Sequence, residues 1–264
     1  MKQFVLASMA LAAFCSCGQS APQFDFQKEL QAFQEWQKGV VAEYRAPGAN
    51  QDSIVEAYTK HVQQLADQHA GDSLGLVLTY ELAEEMDFHQ LDSVMNTCEL
   101  YKNDEHLGQL RTVKLAQQAT APGAHYIDIV GVDAKTGKEK KLSDIANNGK
   151  PTIVDFWASW CGPCRNEIKR SLSVYAPQYK GKVNFVGIAV WERDGIEATQ
   201  QAMSELPISW PVIFAGERGA NSPTDLYGIM GIPEIILIGA DGVIKARGLR
   251  GAAIEEAIAR ELGK

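Results

Sequence analysis

Thr152-Ile153-Val154-Asp155-Phe156-Trp157-Ala158-Ser159-Trp160-Cys161-Gly162-Pro163-Cys164 is the stretch on which the reading of this 264-residue chain turns. Its first half is β-branched and aromatic, the composition of a strand buried on both faces. Downstream, Arg165 to Leu172 has helical composition, with Ile168 and Leu172 an i, i+4 apolar pair. The Cys-x-x-Cys therefore falls at a strand-to-helix junction, with Cys161 near the first helical turn. Only a thiolate attacks a disulfide, and a helix N-terminus favours the anion through its partial positive charge and unpaired N–H donors. Two cysteines three residues apart in that turn bring their sulfurs together, so a mixed disulfide with another protein is resolvable internally. Gly162 allows close backbone approach by a partner, and Pro163 is tolerated where its missing N–H is not needed. A zinc site would need two further Cys or His ligands at suitable spacing, and there is no second Cys-x-x-Cys. Asp155 is an acid inside an apolar run. Buried without a partner, it would have a raised pKa and suit the role of proton acceptor for Cys164; an edge position facing water is the alternative.

Length suggests two domains, and 45% apolar with 22% charged residues is ordinary globular composition. A formal charge of −8 with no Lys/Arg cluster argues against nucleic acid or an anionic membrane face as partner. Residues 1–16 read as a signal peptide: Lys2, then an apolar run from Phe4 to Phe14 too short to span a bilayer. The cysteines that follow resemble a bacterial lipoprotein signal. Cys17 is the better lipidation candidate, since the small Ser16 precedes it whereas Phe14 precedes Cys15. Residues 17–23 then form a tether, and the expected address is the periplasm or cell envelope, by a lipid anchor or else by simple secretion. In an oxidising compartment a lone adjacent cysteine pair points to catalysis rather than to a structural framework.

From 24 to 118 the pattern predicts five helices. Apolar stripes run through Phe26–Tyr44, Ile54–Leu65, Leu74–Leu82 and Leu91–Cys98, the last opened by a capping box at Asp87-Phe88-His89-Gln90; a fifth helix starts at Asp104. This region reads as a helical domain without a cofactor box. Its scattered His61, His69, His89 and His106 read as surface residues, and Cys98 as a small buried hydrophobe. Ala119 to Ala124 marks a hinge. Residues 119–264 then alternate strands and helices. Strands are expected over Tyr126–Asp133, up to Leu142, and over Val183–Val190 and Trp210–Phe214, with a helix over Asp194–Leu206. Ser222–Gly228 reads as a short helix, Glu234–Ile238 with Val243–Gly248 as a hairpin, and Ala252–Leu262 as a closing helix.

Val154–Arg165, Leu226-Tyr227-Gly228-Ile229-Met230-Gly231-Ile232-Pro233 and Gly239-Ala240-Asp241-Gly242 resemble the TlpA/ResA-like thiol–disulfide oxidoreductases of the thioredoxin superfamily. The resemblance covers about residues 119–264. It implies a thioredoxin-like α/β fold with an added N-terminal β-hairpin and an inserted helix, here preceded by the all-α region. It further implies a redox disulfide Cys161–Cys164, with Cys161 the nucleophile at the exposed end of the pair and Cys164 the resolving thiol. Asp155 occupies the position of the thioredoxin acid, and Glu167 that of a glutamate that tunes the thiols in ResA-like proteins. Pro233 matches the loop proline held in cis, leaving the Ile232 backbone to pair with an extended substrate segment. Trp160 becomes a rim aromatic over the thiols, and Glu192, ending a central strand, is within possible reach of them. Glu234 departs from the pattern, where threonine is common, and places a charge beside the substrate groove. The implied activity is reduction of disulfides in partner proteins, with a membrane thiol-reductant carrier restoring the dithiol and no cofactor or metal. A disulfide oxidase or isomerase of the same fold, and a partner-binding module with a static disulfide, are the alternatives.

Overall fold

The computed structural model describes residues 24–146, 148–216 and 222–263. The signal peptide, the tether and Cys17 lie outside the described residues. The chain forms two compact units that divide between Arg111 and Thr112. That point falls inside a helix, seven residues ahead of the composition break at 118/119.

The first unit is helical: α1 Phe26–Tyr44, α2 Gln51–Gln68, α3 Ser73–Ala83, α4 Phe88–Met95, α5 Glu99–Lys102 and the first part of α6 Glu105–Ala119. Helix α3 is apolar nearly all round, and such a helix must be covered on every side. Leu74, Leu78 and Leu82 pack with Phe33 and Val62 of α1 and α2. Leu76 and Ala83 pack with Leu91, Met95, Tyr101 and Leu107. Asp72 caps α3 by accepting from the Leu74 and Gly75 N–H groups, and Asp87 with Gln90 forms the capping box expected for α4. One correction concerns Cys98. The fourth helix stops at Met95, and Cys98, half-buried, takes the N-cap position of the short α5 instead of continuing the stripe.

The second unit is a seven-stranded sheet with helices on both faces. Its strands are β1 Val130–Asp133, β2 Glu139–Lys141, β3 Thr152–Trp157, β4 Asn184–Ala189, β5 Val212–Phe214, β6 Glu234–Ile238 and β7 Ile244–Ala246, in the order β2-β1-β5-β4-β3-β6-β7. Strands β3, β4 and β5 are parallel; β6 and β7 run antiparallel on one side, and the β1–β2 hairpin on the other. Helices α7 Ser143–Ala146 and α11 Pro223–Leu226 are single turns, and α10 Gly195–Glu205 is the insertion between β4 and β5. The first expected strand is shorter than its Tyr/Ile/Val alternation implied, running as a regular strand only over Val130–Asp133.

Strand β3 is buried at all six positions, as its lack of polar alternation requires. Alternation sends Val154 and Phe156 to a cluster with Val186, Ile188 and Ile236. Ile153 and Trp157 go to the opposite cluster, which holds Cys161, Cys164, Ile168, Leu172 and the closing helix α12 Ala252–Glu261 through Ile254 and Ile258. Asp155 shares that second face. After β3 the chain turns into α8 Gly162–Glu167, runs through one π-wound segment, Ile168–Leu172, and continues as α9 Ser173–Gln178. Short π segments recur at functional sites.

Candidate active site

Cys161 is the N-cap of α8, with extended backbone, and its Sγ accepts from the Cys164 N–H at 3.2 Å. Gly162 and Pro163 fill the first two helical positions, where no intrahelical N–H is called for. The two sulfurs are joined as a disulfide, with the Cα atoms 5.3 Å apart. Cys164 is fully buried, and Cys161 is only 3% exposed. Cys161 is thus the less buried end of the pair, though nearly covered. The carbonyl of Ile232 sits 3.8 Å from its Sγ, and the Ile232–Pro233 peptide is cis.

Trp160 forms the rim and is 42% exposed. Its Nε1 donates to the Trp191 carbonyl at 2.8 Å, and the Arg193 guanidinium lies 4.3 Å from the centre of its ring, within cation–π range. Trp191 is the one non-glycine residue among those described with positive φ, 54°. Such backbone costs of order 1–3 kcal/mol and persists only where neighbours enforce it. Here the Trp191 carbonyl is held by Trp160, and its own Nε1 donates to Thr224 Oγ1 at 3.1 Å.

Glu192 does not face the thiols as an unpaired acid. It accepts from Ser159 N–H at 2.8 Å, from Ser159 Oγ at 2.7 Å and from Thr199 Oγ1 at 3.0 Å, and it is 5% exposed. It pins the turn that delivers Trp160 and Cys161. Glu234 is satisfied by an ion pair instead: its Oε1 meets Arg247 Nε at 3.4 Å and the Gly248 N–H at 3.1 Å. Arg247 spends its remaining donors on Thr120 and the Tyr227 carbonyl. The charge expected beside the groove is thus internally paired.

Asp155 is the opposite case. It is 2% exposed, and neither carboxylate oxygen has a hydrogen-bond partner. Burial drives its pKa from 3.8 to about 8; Arg250 opposes that rise and Glu167 adds to it. Glu167 is half-buried on the active-site helix, and its Oε1 accepts from the Gly251 N–H at 2.8 Å. The residues missed in the sequence are Arg250 and Gly251. They lie between β7 and α12, and nothing in their local pattern marks them. No group of three or more His, Cys, Asp or Glu among the described residues is arranged to hold a metal.

Residues 117–261, more than half of the chain, match the redoxin family. The chain belongs to the redoxin family. Its α/β unit is the redoxin domain, thioredoxin-like in fold. Similar curated proteins include the thiol:disulfide interchange protein CycY of Rhizobium leguminosarum bv. viciae, 33% identical over 121 residues, which are 43% of this chain and 60% of that one. The thiol-disulfide oxidoreductase ResA of Bacillus subtilis is 28% identical over 108 residues, 41% of this chain and 56% of ResA. The chain thus spans about 60% of the length of these relatives. Among solved structures, a thiol:disulfide interchange protein from Bacteroides sp. matches with a TM-score of 0.47 and 26% identity, covering 55% of this chain and 93% of that one.

Proposed function

We propose that the redoxin domain is a thiol–disulfide oxidoreductase acting as a dithiol reductase of disulfides in partner proteins. The observation that carries this is the Cys161–Cys164 pair capping a helix start, on the sheet face where a buried acid has no partner. In the reduced state the Cys161 thiolate attacks one sulfur of the client disulfide; that S–S bond breaks, and the other client sulfur leaves as a thiolate. The mixed disulfide is then resolved. Asp155 takes the Cys164 proton, the Cys164 thiolate attacks Cys161 Sγ, and the second client thiolate departs. Two electrons have moved to the client, and Cys161–Cys164 is oxidised. A carboxyl near pH 8 lies close to an ordinary thiol, so the proton passes either way with little penalty. Trp160, Gly162, Pro163 and the Ile232–Pro233 loop form the client-facing surface, with the Ile232 backbone pairing an extended client segment.

Gly-Pro between the cysteines supports the reducing direction: thioredoxin has a potential of about −270 mV, and strong oxidants lie near −120 mV. A membrane dithiol carrier would restore the pair. The N-terminal signal and Cys17 support a lipid-anchored chain facing the periplasm or cell envelope, and the helical residues up to Arg111 serve as a separate domain. No helix among the described residues is long and apolar enough to cross a membrane. The deciding experiment is the reduction potential of the 161/164 pair, combined with dithiothreitol-driven reduction of insulin. Acceleration and a potential near thioredoxin's are expected, with Cys161→Ser inactive and Cys164→Ser trapping a mixed disulfide. A potential near −120 mV would turn the reading to an oxidase, and a pair inert to dithiothreitol would turn it to a static module.

A further inference from the structure

The turn Leu249–Gly251 makes three contacts that the scheme above does not use. Leu249 N–H donates to the Ile235 carbonyl at the start of β6, at 3.1 Å. Gly251 N–H donates to Glu167 on the active-site helix, at 2.8 Å. Between them the Arg250 guanidinium donates to the Pro233 carbonyl and, through its other arm, to the Leu249 carbonyl at 2.6 Å. Pro233 belongs to the loop whose Ile232 carbonyl lies over Cys161 Sγ. One turn thus ties the client-facing loop, the root of β6 and the helix carrying both cysteines.

Arg250 is also the cationic group felt by Asp155. The charged groups acting on that carboxyl come from two elements besides its own: Glu167 from the active-site helix and Arg250 from this turn, while Cys164, buried in the cluster on the same sheet face, is held in the disulfide. The flanking strands place Gly187 and Ile235 opposite Asp155, neither of them charged.

We propose that Arg250 is a positioning residue, holding the Ile232–Pro233 loop at the client-facing sulfur and keeping a positive charge within reach of Asp155 while Cys164 gives up its proton. This rests on the dithiol-reductase reading, and two distinct effects follow. The guanidinium–carbonyl bond acts on client attack, through the shape of the loop. The charge acts on resolution, because a cation near a carboxyl favours its ionised, proton-accepting form. Lysine keeps the charge but lacks the planar fork that engages two carbonyls at once.

The test uses full-length protein with wild type, Arg250→Met and Arg250→Lys. Attack is read as the single-turnover rate of the reduced protein on insulin. Resolution is read as glutathione release from the Cys161–glutathione mixed disulfide, between pH 6 and 9. Arg250→Met should lower the attack rate by about tenfold, the loss of one good hydrogen bond. It should also move the resolution midpoint to higher pH by about one unit. Arg250→Lys should keep the wild-type midpoint while attack stays several-fold slow. Wild-type attack and midpoint in Arg250→Met would overturn the inference, as would equal midpoint shifts in both variants. Should far-UV circular dichroism show Arg250→Met unfolded, the lysine variant decides, and wild-type attack in it overturns the loop role. Wild-type protein that does not reduce insulin removes the reductase reading itself, and this inference with it. Active wild type with indifferent variants removes only the role of Arg250.

Discussion

Asp155 spends its burial on an acid with no hydrogen bond to offset it, and this has consequences for stability as well as for chemistry. An unfolded chain ionises this carboxyl near 3.8, whereas the native protein does so near 8. Between those values the native state holds one proton more, so its stability falls as pH rises across that window. Asp155→Asn abolishes the titration. Relative to wild type, the variant should gain stability between pH 5 and 8, on the order of 3 kcal/mol, read by urea unfolding of the oxidised protein. Parallel curves for the two proteins would show that Asp155 titrates as an exposed acid. The same substitution should slow mixed-disulfide resolution by about 10²–10⁴-fold near neutral pH and less at alkaline pH, where the thiol ionises unaided. Glu167→Gln should do less, since one Glu167 oxygen already serves the Gly251 N–H. A larger defect in Glu167→Gln would transfer the proton role to the helix acid. Glu192 is the structural counterpart: three donors converge on a buried carboxylate, and Glu192→Ala leaves them without an acceptor. We expect a cost of about 2–4 kcal/mol in thermal or urea unfolding; a loss within experimental error would show that the Ser159 turn holds without it.

Elements act here through their ends. The active-site helix places Cys161 at its cap, where N–H donors and the helix dipole favour a thiolate. Alkylation of the reduced protein with iodoacetamide should therefore titrate at about pH 7. A midpoint near the free-thiol value of about 8.5 would mean that the cap position does not activate the sulfur. Helix α6 acts through its C-terminal end. Gln117 Nε2 donates to the Gly228 carbonyl at 2.9 Å, and Thr120 binds Arg247. Gly228 has φ +60°, and an added Cβ would come within 2.5 Å of the Val113 carbonyl. Gly228→Ala should cost about 2–3 kcal/mol, because both the backbone conformation and the close approach are lost; an unchanged unfolding midpoint would show that the helix end yields.

For the whole molecule, the divide at Arg111/Thr112 lies within α6, so one helix is shared between two units. Where the redoxin domain can be cut follows from those contacts. A chain starting at residue 105 keeps Gln117, Thr120 and the rest of α6 and should fold with full insulin-reducing activity. A chain starting at residue 121 loses the donor to Gly228 and the acceptor of Arg247, and it should unfold at lower denaturant by about 2–3 kcal/mol. Equal midpoints for the two would mean that α6 adds nothing to the redoxin domain.

What the sequence determined by itself was whatever depends on neighbours in the chain. The uniform apolar run of β3, the 3.6-residue stripes of α1 to α4, the Asp87–Gln90 capping box and the strand-to-helix placement of Cys161 and Cys164 are all set by short-range periodicity and steric preference. The acid at Asp155 was legible for the same reason, being the one charged residue in that run. Tertiary structure decided which polar groups are satisfied and which are not. Ser159 reaches Glu192 across 33 residues, Glu167 reaches Gly251 across 84, and Gln117 reaches Gly228 across 111. No periodicity records such pairings, since side-chain partners so far apart meet only after the sheet has assembled. That is why the sequence shows no partner for Glu192 or Glu234, carries the fourth stripe on to Cys98 where the helix ends at Met95, and gives no sign of Arg250. Asp155 makes no hydrogen bond among the described residues, and only the packed sheet could decide that.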